Sequence, residues 1–150
     1  MGYENVKTYI QSGNVIFTAA NDAPTSTIAA RIEKLILTQF GFEVPVVVLS
    51  KEELDQTVTN NPFAADKENF ENLHVTFLKE IPAEQSLKNI QELKFPPDQF
   101  QIMGKCVFLN IPGAYHKTKL SNAFFEKKLD ISLTTRNWKT VLKLAELSQF

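Results

Sequence analysis

Residues 100–111 read Phe-Gln-Ile-Met-Gly-Lys-Cys-Val-Phe-Leu-Asn-Ile, and the prediction of the fold starts from them. Apolar residues flank Gly104 on both sides, and glycine tolerates the positive φ that a tight turn requires, so the stretch predicts a β-hairpin. Residues 12–17 can be laid over residues 103–108, and Gly13 then falls on Gly104. Because a predicted helix and then a predicted strand follow each hairpin, we interpret the two as an internal duplication.

The elements around the second hairpin follow the ferredoxin-like order, β-α-β-β-α-β. Strand-like and helix-like apolar patterns alternate here, and Pro96-Pro97 breaks the first helix. The predicted elements are a strand over Leu73–Lys79, a helix over Pro82–Leu93, the hairpin strands Phe100–Met103 and Cys106–Ile111, a helix over Lys119–Leu129, a short strand over Ile131–Leu133 and a final helix from about Arg136 to Leu147.

The elements around the first hairpin give only β-β-α-β, so the leading strand and helix of a ferredoxin-like half are missing. They are strands over Val6–Ile10 and Val15–Thr18, a helix over Thr25–Phe40 that ends at Gly41, a strand over Val44–Leu49, and a short helix to about Thr59 that the capping-box pattern of residues 50–53 opens. The predicted fold is therefore α+β with duplicated ferredoxin-like halves. Residues 1–60 form the incomplete half, and residues 61–150 form the second half and carry the C-terminal helix.

An incomplete half exposes strand edges, whose unpaired backbone N–H and C=O groups favour pairing with another chain. We therefore expect that the chain is truncated at its N-terminus, or that a partner molecule or a rearrangement fills the gap. Self-association through the exposed sheet edges is the corresponding prediction.

Charge is distributed unevenly along the chain, although the net charge is only −1. Residues 1–100 carry 8 Lys/Arg against 14 Asp/Glu, a net −6, whereas residues 101–150 carry 8 against 3, a net +5. The basic third predicts attraction of an anionic small molecule, and the alternative is a solvated surface that pairs with the acidic part. The overall charge does not favour a nucleic-acid partner.

The single cysteine, Cys106, excludes an intrachain disulfide and favours a cytoplasmic location. No apolar run approaches the roughly 18 residues that a membrane span needs, so no membrane partner is predicted.

Residues 134–138 place two hydroxyls, a guanidinium, an amide and the only Trp at a predicted helix start. A helix N-terminus offers unpaired N–H groups, and arginine binds anions with two donors, so the stretch predicts an anion or phosphate site. In the alternative reading Thr135 caps the helix, Asn137 satisfies a loop carbonyl, and Trp138 anchors the core. The candidate ligand-binding residues are Thr134, Thr135, Arg136 and Asn137, with Lys117 and Lys119 at the start of the preceding helix.

Other catalytic and metal-binding patterns are weak. His74 and His116 have no spacing that links either to Ser12 or Ser121, so no serine nucleophile with a base is predicted. Cys106 is interpreted as a small apolar residue. One Cys and two separated His give no zinc spacing, so no metal site is predicted, and the scattered glycines form no phosphate cradle, so no cofactor is predicted.

Residues 6–17, the Lys119-Leu120-Ser121 triplet and residues 134–144 resemble an uncharacterised bacterial family, domain of unknown function 1697. The resemblance covers nearly the whole chain, and the Thr-Thr-Arg-Asn-Trp block at 134–138 is its most specific part. It implies a pair of ferredoxin-like halves. Family members usually begin with a strand and helix that include a Leu-Arg-Gly-Ile-Asn-Val-Gly-like segment, which this chain lacks, and the family implies no activity.

Three functions follow from these patterns. The favoured hypothesis is a cytoplasmic binding module for an anionic or phosphorylated ligand at the Thr-Thr-Arg-Asn-Trp block. The second is an enzyme that acts on an anionic small molecule and needs the absent N-terminal segment. The third is a structural or assembly domain whose sheet edges pair with a partner.

Overall fold

The structure is a computed structural model that describes residues 3–9, 13–19, 23–65 and 67–149. Helices and antiparallel sheets occur together, so the fold is α+β as predicted. The strands are β1 (Glu4–Tyr9), β2 (Asn14–Thr18), β3 (Leu73–Leu78), β4 (Gln99–Met103), β5 (Cys106–Asn110) and β6 (Leu133–Asn137); the helices are α1 (Thr25–Phe40), α2 (Lys51–Asn60), α3 (Glu84–Gln91), α4 (Asn122–Leu129) and α5 (Trp138–Leu147), with 3-10 turns at Lys67–Asn72 and Tyr115–Lys117.

The larger sheet has four antiparallel strands in the order β4-β5-β3-β6. With α3 and α4 it has the β-α-β-β-α-β connectivity that the sequence predicts for residues 61–150. β3 is an inner strand and is almost wholly buried. A strand that is covered on both faces needs apolar residues on both, which explains its nearly continuous apolar sequence.

Helices cover both faces of this sheet. Ile90 of α3 and Phe125 and Leu129 of α4 belong to one core cluster, on what we call the α3/α4 face. Leu54 of α2 and Trp138 of α5 belong to a second cluster, on the α2/α5 face. We call residues 51–149 the carboxy-terminal part, and it contains nearly all of the buried apolar residues.

Residues 3–49, the amino-terminal part, contain the β1-β2 hairpin and α1. Gly13 has φ +87° at the turn of the hairpin, and Gly41 has φ +78° where α1 ends, so both turns use conformations that favour glycine. Polar side-chain contacts tie this part to the rest. Arg136 donates to Asn14, and Glu33 of α1 forms an ion pair with Lys79.

The strand predicted at Val44–Leu49 does not form. None of the strands in the described ranges lies beside this segment, and the Val46 N–H donates instead to Glu33 Oε2 at 3.0 Å. Val47 and Leu49 pack against the core of the α2/α5 face. The β-branched run therefore marks burial of side chains and not membership of a sheet.

The capping box at α2 is confirmed. Ser50 Oγ accepts from the Glu53 N–H at 3.1 Å, and Glu53 Oε1 accepts from the Ser50 N–H at 3.0 Å. α1 also has the predicted bounds, whereas α3 begins two residues later than predicted, after Ala83. The duplication and the division at residues 60 and 61 stay predictions.

Candidate functional site

The Thr-Thr-Arg-Asn block is a strand and not the start of a helix, which corrects the sequence prediction. Residues 133–137 form β6, and α5 begins only at Trp138. The strand pairs with β3 so that Thr134 lies opposite Phe77 and Arg136 opposite Val75. The two threonines are β-branched, and pairing with an inner strand outweighs the helix-start signal that they carry locally.

Alternation along β6 places the predicted site residues on opposite faces of the sheet. On the α3/α4 face, the hydroxyl of Thr135 bonds to Thr76 Oγ1 at 2.7 Å and to the side-chain oxygen of Asn122. Thr134 and Arg136 lie on the α2/α5 face, beside their paired residues Phe77 and Val75 of β3. The block therefore does not form one cluster of ligand donors.

Arg136 is half-buried, and hydrogen bonds to its neighbours hold its guanidinium. Its Nε donates to Asn14 Oδ1 at 2.7 Å, and its Nη1 donates to Thr134 Oγ1 at 2.6 Å and to the Thr135 carbonyl at 2.9 Å. Desolvation lowers the pKa of the guanidinium. The side chain thus joins the β1-β2 hairpin to the edge strand β6 in a fixed orientation.

Asn137 is the N-cap of α5, a role that the sequence analysis assigned to Thr135. Its Oδ1 accepts from the Thr140 N–H at 2.8 Å. Thr135 cannot cap, because it lies two residues before the N-cap and its hydroxyl faces Thr76 and Asn122. Trp138 anchors the core as the alternative reading predicts, since it is 1% exposed and packs edge-on against Phe70.

Lys117 and Lys119 do not lie at a helix start. Ser121 caps α4, which begins at Asn122, and Lys117 ends the short turn at Tyr115–Lys117. Between the two lysines, Thr118 bonds to Asp98 Oδ2 at 2.5 Å. The hydrogen bonds and ion pairs of the described residues bring neither lysine to Arg136.

A cleft of about 270 Å³, which the sequence analysis missed, lies between α2 and the β4-β5 turn. At its base the Cys106 thiol lies 3.4 Å from Thr57 Oγ1. Burial raises the pKa of the Cys106 thiol, and nearby Glu53 adds to that rise, although the Thr57 hydrogen bond opposes it. The thiol is therefore held in its neutral form and is not an activated nucleophile, as the sequence analysis predicts.

Exposed apolar side chains concentrate in the amino-terminal part. Among the described residues, nine large apolar side chains are exposed, and seven of them lie between residues 6 and 44. Those seven are Val6, Val15, Leu35, Leu37, Phe40, Phe42 and Val44, and the remaining two, Ile81 and Met103, both line the cleft. In the part of the chain that the structure describes, no helix has the length and apolar character of a membrane span.

A solved structure with a similar fold is the conserved bacterial protein SP0830 from Streptococcus pneumoniae. The two chains are 22% identical, superpose with a TM-score of 0.69, and the match covers 99% of this chain and 82% of that one. No curated protein matches the chain significantly. At this identity the similarity shows the fold alone.

The family resemblance of the sequence is also supported directly. The model of the DUF1697 family, described as a protein of unknown function, matches residues 1–108. That match covers most of the chain, which therefore belongs to the DUF1697 family.

Proposed function

We propose that the chain is an assembly module that associates with a second copy of itself through the exposed apolar surface of α1. The observation that carries this proposal is the concentration of seven exposed large apolar side chains in residues 6–44. Contiguous exposed apolar surface in a folded domain marks an interaction site more often than a free surface.

Helix α1 supplies the best-defined part of that surface. Ile28, Ile32, Ile36 and Phe40 follow one another at a spacing of four residues and so form one stripe along the helix. The exposure of the side chains rises along this stripe, from 5% at Ile28 to 68% at Phe40. Phe42 continues it, with its ring centroid 6.2 Å from that of Phe40. A helix gains most of its stability from packing such a stripe, so the open end favours a partner.

The charge pattern favours a second copy as that partner. Residues 35–42 contain no charged residue. In a two-fold interface the same patch meets itself, so a charge close to the symmetry axis would face its own like charge. An uncharged apolar stripe avoids this repulsion and can pack against its own copy by interdigitation of side chains.

Sedimentation equilibrium of matched variants tests the proposal. We expect the wild type to approach twice the 17.0 kDa chain mass as concentration rises. Phe40→Asp should remain a single chain, because association would bury an unpaired carboxylate from each copy. Ile81→Asp is the control, since Ile81 is 67% exposed and lies outside α1. A wild type that stays a single chain, or equal dissociation by both variants, would contradict self-association.

A photoreactive phenylalanine analogue at position 40, with position 81 as control, separates the possible partners. An adduct of two chains at position 40 supports the proposal. An adduct of position 40 with a different protein would replace self-association by a heterologous partner. Adducts that form equally at both positions, or at neither, would contradict the proposed assembly function.

A second candidate function is the binding of an anion at Arg136. The specific observation in its favour is the fixed, half-buried orientation of the guanidinium. A charge that is already oriented loses little entropy on binding, and partial burial strengthens its field. Of the other candidate residues, Thr134 then helps to hold Arg136, because its hydroxyl accepts from the guanidinium.

Thermal shifts with inorganic phosphate test the anion site. We expect phosphate to raise the melting temperature of the wild type, less so at high salt. Arg136→Lys keeps the charge but loses the planar fork, so it should respond less. An equal phosphate response in Arg136→Lys would count against the site.

We also infer that the two hairpins belong to duplicated ferredoxin-like halves of a cytoplasmic protein. Two observations support the duplication: both hairpins turn at a glycine with positive φ, Gly13 and Gly104, and a helix follows each of them. The single cysteine supports the location.

A further inference from the structure

We propose that the cleft between α2 and the β4-β5 turn binds a small zwitterion with an apolar body, that is, a free apolar amino acid. The cleft is independent of the assembly surface on α1, so either proposal can fail without the other. Four features of its lining carry the inference: its size, its apolar floor, the two exposed apolar side chains at its edge, and its pair of opposite charges.

The volume of the cleft and its apolar floor indicate that the ligand has an apolar body, and they limit the size of that body. The cleft has a volume of about 270 Å³, and a cavity of about 150 Å³ already holds benzene. Leu49, Phe108 and the neutral thiol of Cys106 line it. These groups offer an apolar contact surface large enough for one aliphatic or aromatic side chain.

Two of the side chains that line the cleft are large, apolar and exposed, a combination that is rare in the carboxy-terminal part. Among the described residues after 49, Ile81 and Met103 are the large apolar side chains that remain exposed, and both line the cleft. Most of the other large apolar residues of this part pack into the two cores. Their position around one concave site favours a ligand that covers them.

Opposite charges stand on the two walls. Glu53 belongs to the α2 wall, and Lys105 to the wall formed by the β4-β5 turn. Lys105 is half-buried, and the described residues provide no ion pair or hydrogen bond to its ammonium group. A ligand carboxylate would pair with Lys105 and a ligand ammonium with Glu53, and both would be charge-assisted contacts.

The walls are also fixed in place, so the site exists before a ligand arrives. The capping box holds Glu53 at the start of α2. The Leu78 N–H donates to the Lys105 carbonyl at 2.8 Å and fixes the turn, and the contact between Thr57 Oγ1 and Cys106 Sγ joins the two walls. A preorganised site loses less conformational entropy on binding.

Titration with L-phenylalanine, followed by NMR of the backbone amides of Thr57, Lys105 and Cys106, tests the inference. We expect these amides to shift, and we expect 3-phenylpropionate and 2-phenylethylamine, which each lack one charge, to bind about tenfold more weakly. Absence of shifts at these amides, or equal binding of all three compounds, would overturn it.

Two charge variants identify the contacts. Glu53→Gln keeps an acceptor for the capping box and should lose affinity for L-phenylalanine and 2-phenylethylamine but not for 3-phenylpropionate. Lys105→Gln should show the reverse pattern with the two analogues. Lys51→Gln, outside the cleft lining, is the control and should bind all three as the wild type does. If neither variant changes the order of the three compounds, the zwitterion assignment is wrong.

Discussion

The two parts of the molecule bury their apolar residues very differently. In the carboxy-terminal part, a four-stranded sheet lies between α3 and α4 on one face and α2 and α5 on the other, and each face has its own core. In the amino-terminal part, α1 has 16 residues, of which only Ile28 and Ala29 are buried. The same chain thus joins a covered α/β/α arrangement to a hairpin and a helix that stand largely open.

The difference teaches where stability and function are expected to lie. A two-stranded hairpin is only marginally stable alone, so the amino-terminal part depends on contacts such as those of Arg136 with Asn14 and of Glu33 with Lys79. Apolar surface that does not stabilise the folded chain remains available for binding. We therefore expect substitutions in the carboxy-terminal part to change folding, and substitutions in α1 to change association.

The largest expected effect comes from truncating two aromatic residues, one in each part. Trp138→Ala empties a fully buried site and should lower the free energy of unfolding by about 3–5 kcal/mol. Phe40→Ala removes an exposed ring. It should change the free energy of unfolding by less than about 0.5 kcal/mol at protein concentrations too low for self-association. Urea unfolding followed by circular dichroism measures both. Similar losses of unfolding free energy in the two variants would contradict the claim that the two parts differ in how they bury apolar residues.

Local sequence patterns correctly predicted the elements whose structure depends on residues that are close together in the chain. The bounds of α1 follow from helical spacing and from Gly41, which takes the left-handed conformation. The start of α2 follows from a capping box that closes within residues 50–53. Both hairpins turn at the predicted glycines. In each case the interacting groups lie within a few residues of one another.

Prediction failed where distant residues decide the structure. Thr134 to Arg136 become a strand because β3 lies beside them, and the contact of Arg136 with Asn14 spans 122 residues. Residues 44–49 look like a strand in isolation, yet the described chain supplies no neighbour for them. The cleft arises from a contact between Thr57 and Cys106, 49 residues apart. No local pattern carries such information.

A smaller effect is expected from removing a hydroxyl on β6. Thr135→Val deletes the group that bonds to Thr76 and Asn122 on the α3/α4 face, and it leaves those polar atoms without that partner. The loss in the free energy of unfolding should be about 1–3 kcal/mol. Thr8→Val on β1 is the matched control, because Thr8 is an exposed strand residue and should change little. If Thr135→Val is as stable as the wild type, the hydroxyl contacts do not contribute to the sheet edge.

The smallest expected effect is a pH dependence that arises in the carboxy-terminal part. His74 on β3 stacks on Tyr115 with ring centroids 4.4 Å apart, and burial lowers its pKa below the ordinary value of 6.5, although a backbone hydrogen bond at Asn72 opposes this. The unfolded chain therefore binds a proton more readily than the folded chain, so this contribution to stability is present above pH 6.5 and is lost as the pH falls through the folded-state pKa. His74→Phe keeps a ring against Tyr115 but cannot titrate. Its unfolding free energy should fall less than that of the wild type between neutral and mildly acidic pH, and parallel pH profiles for the two proteins would show that His74 is not the group responsible.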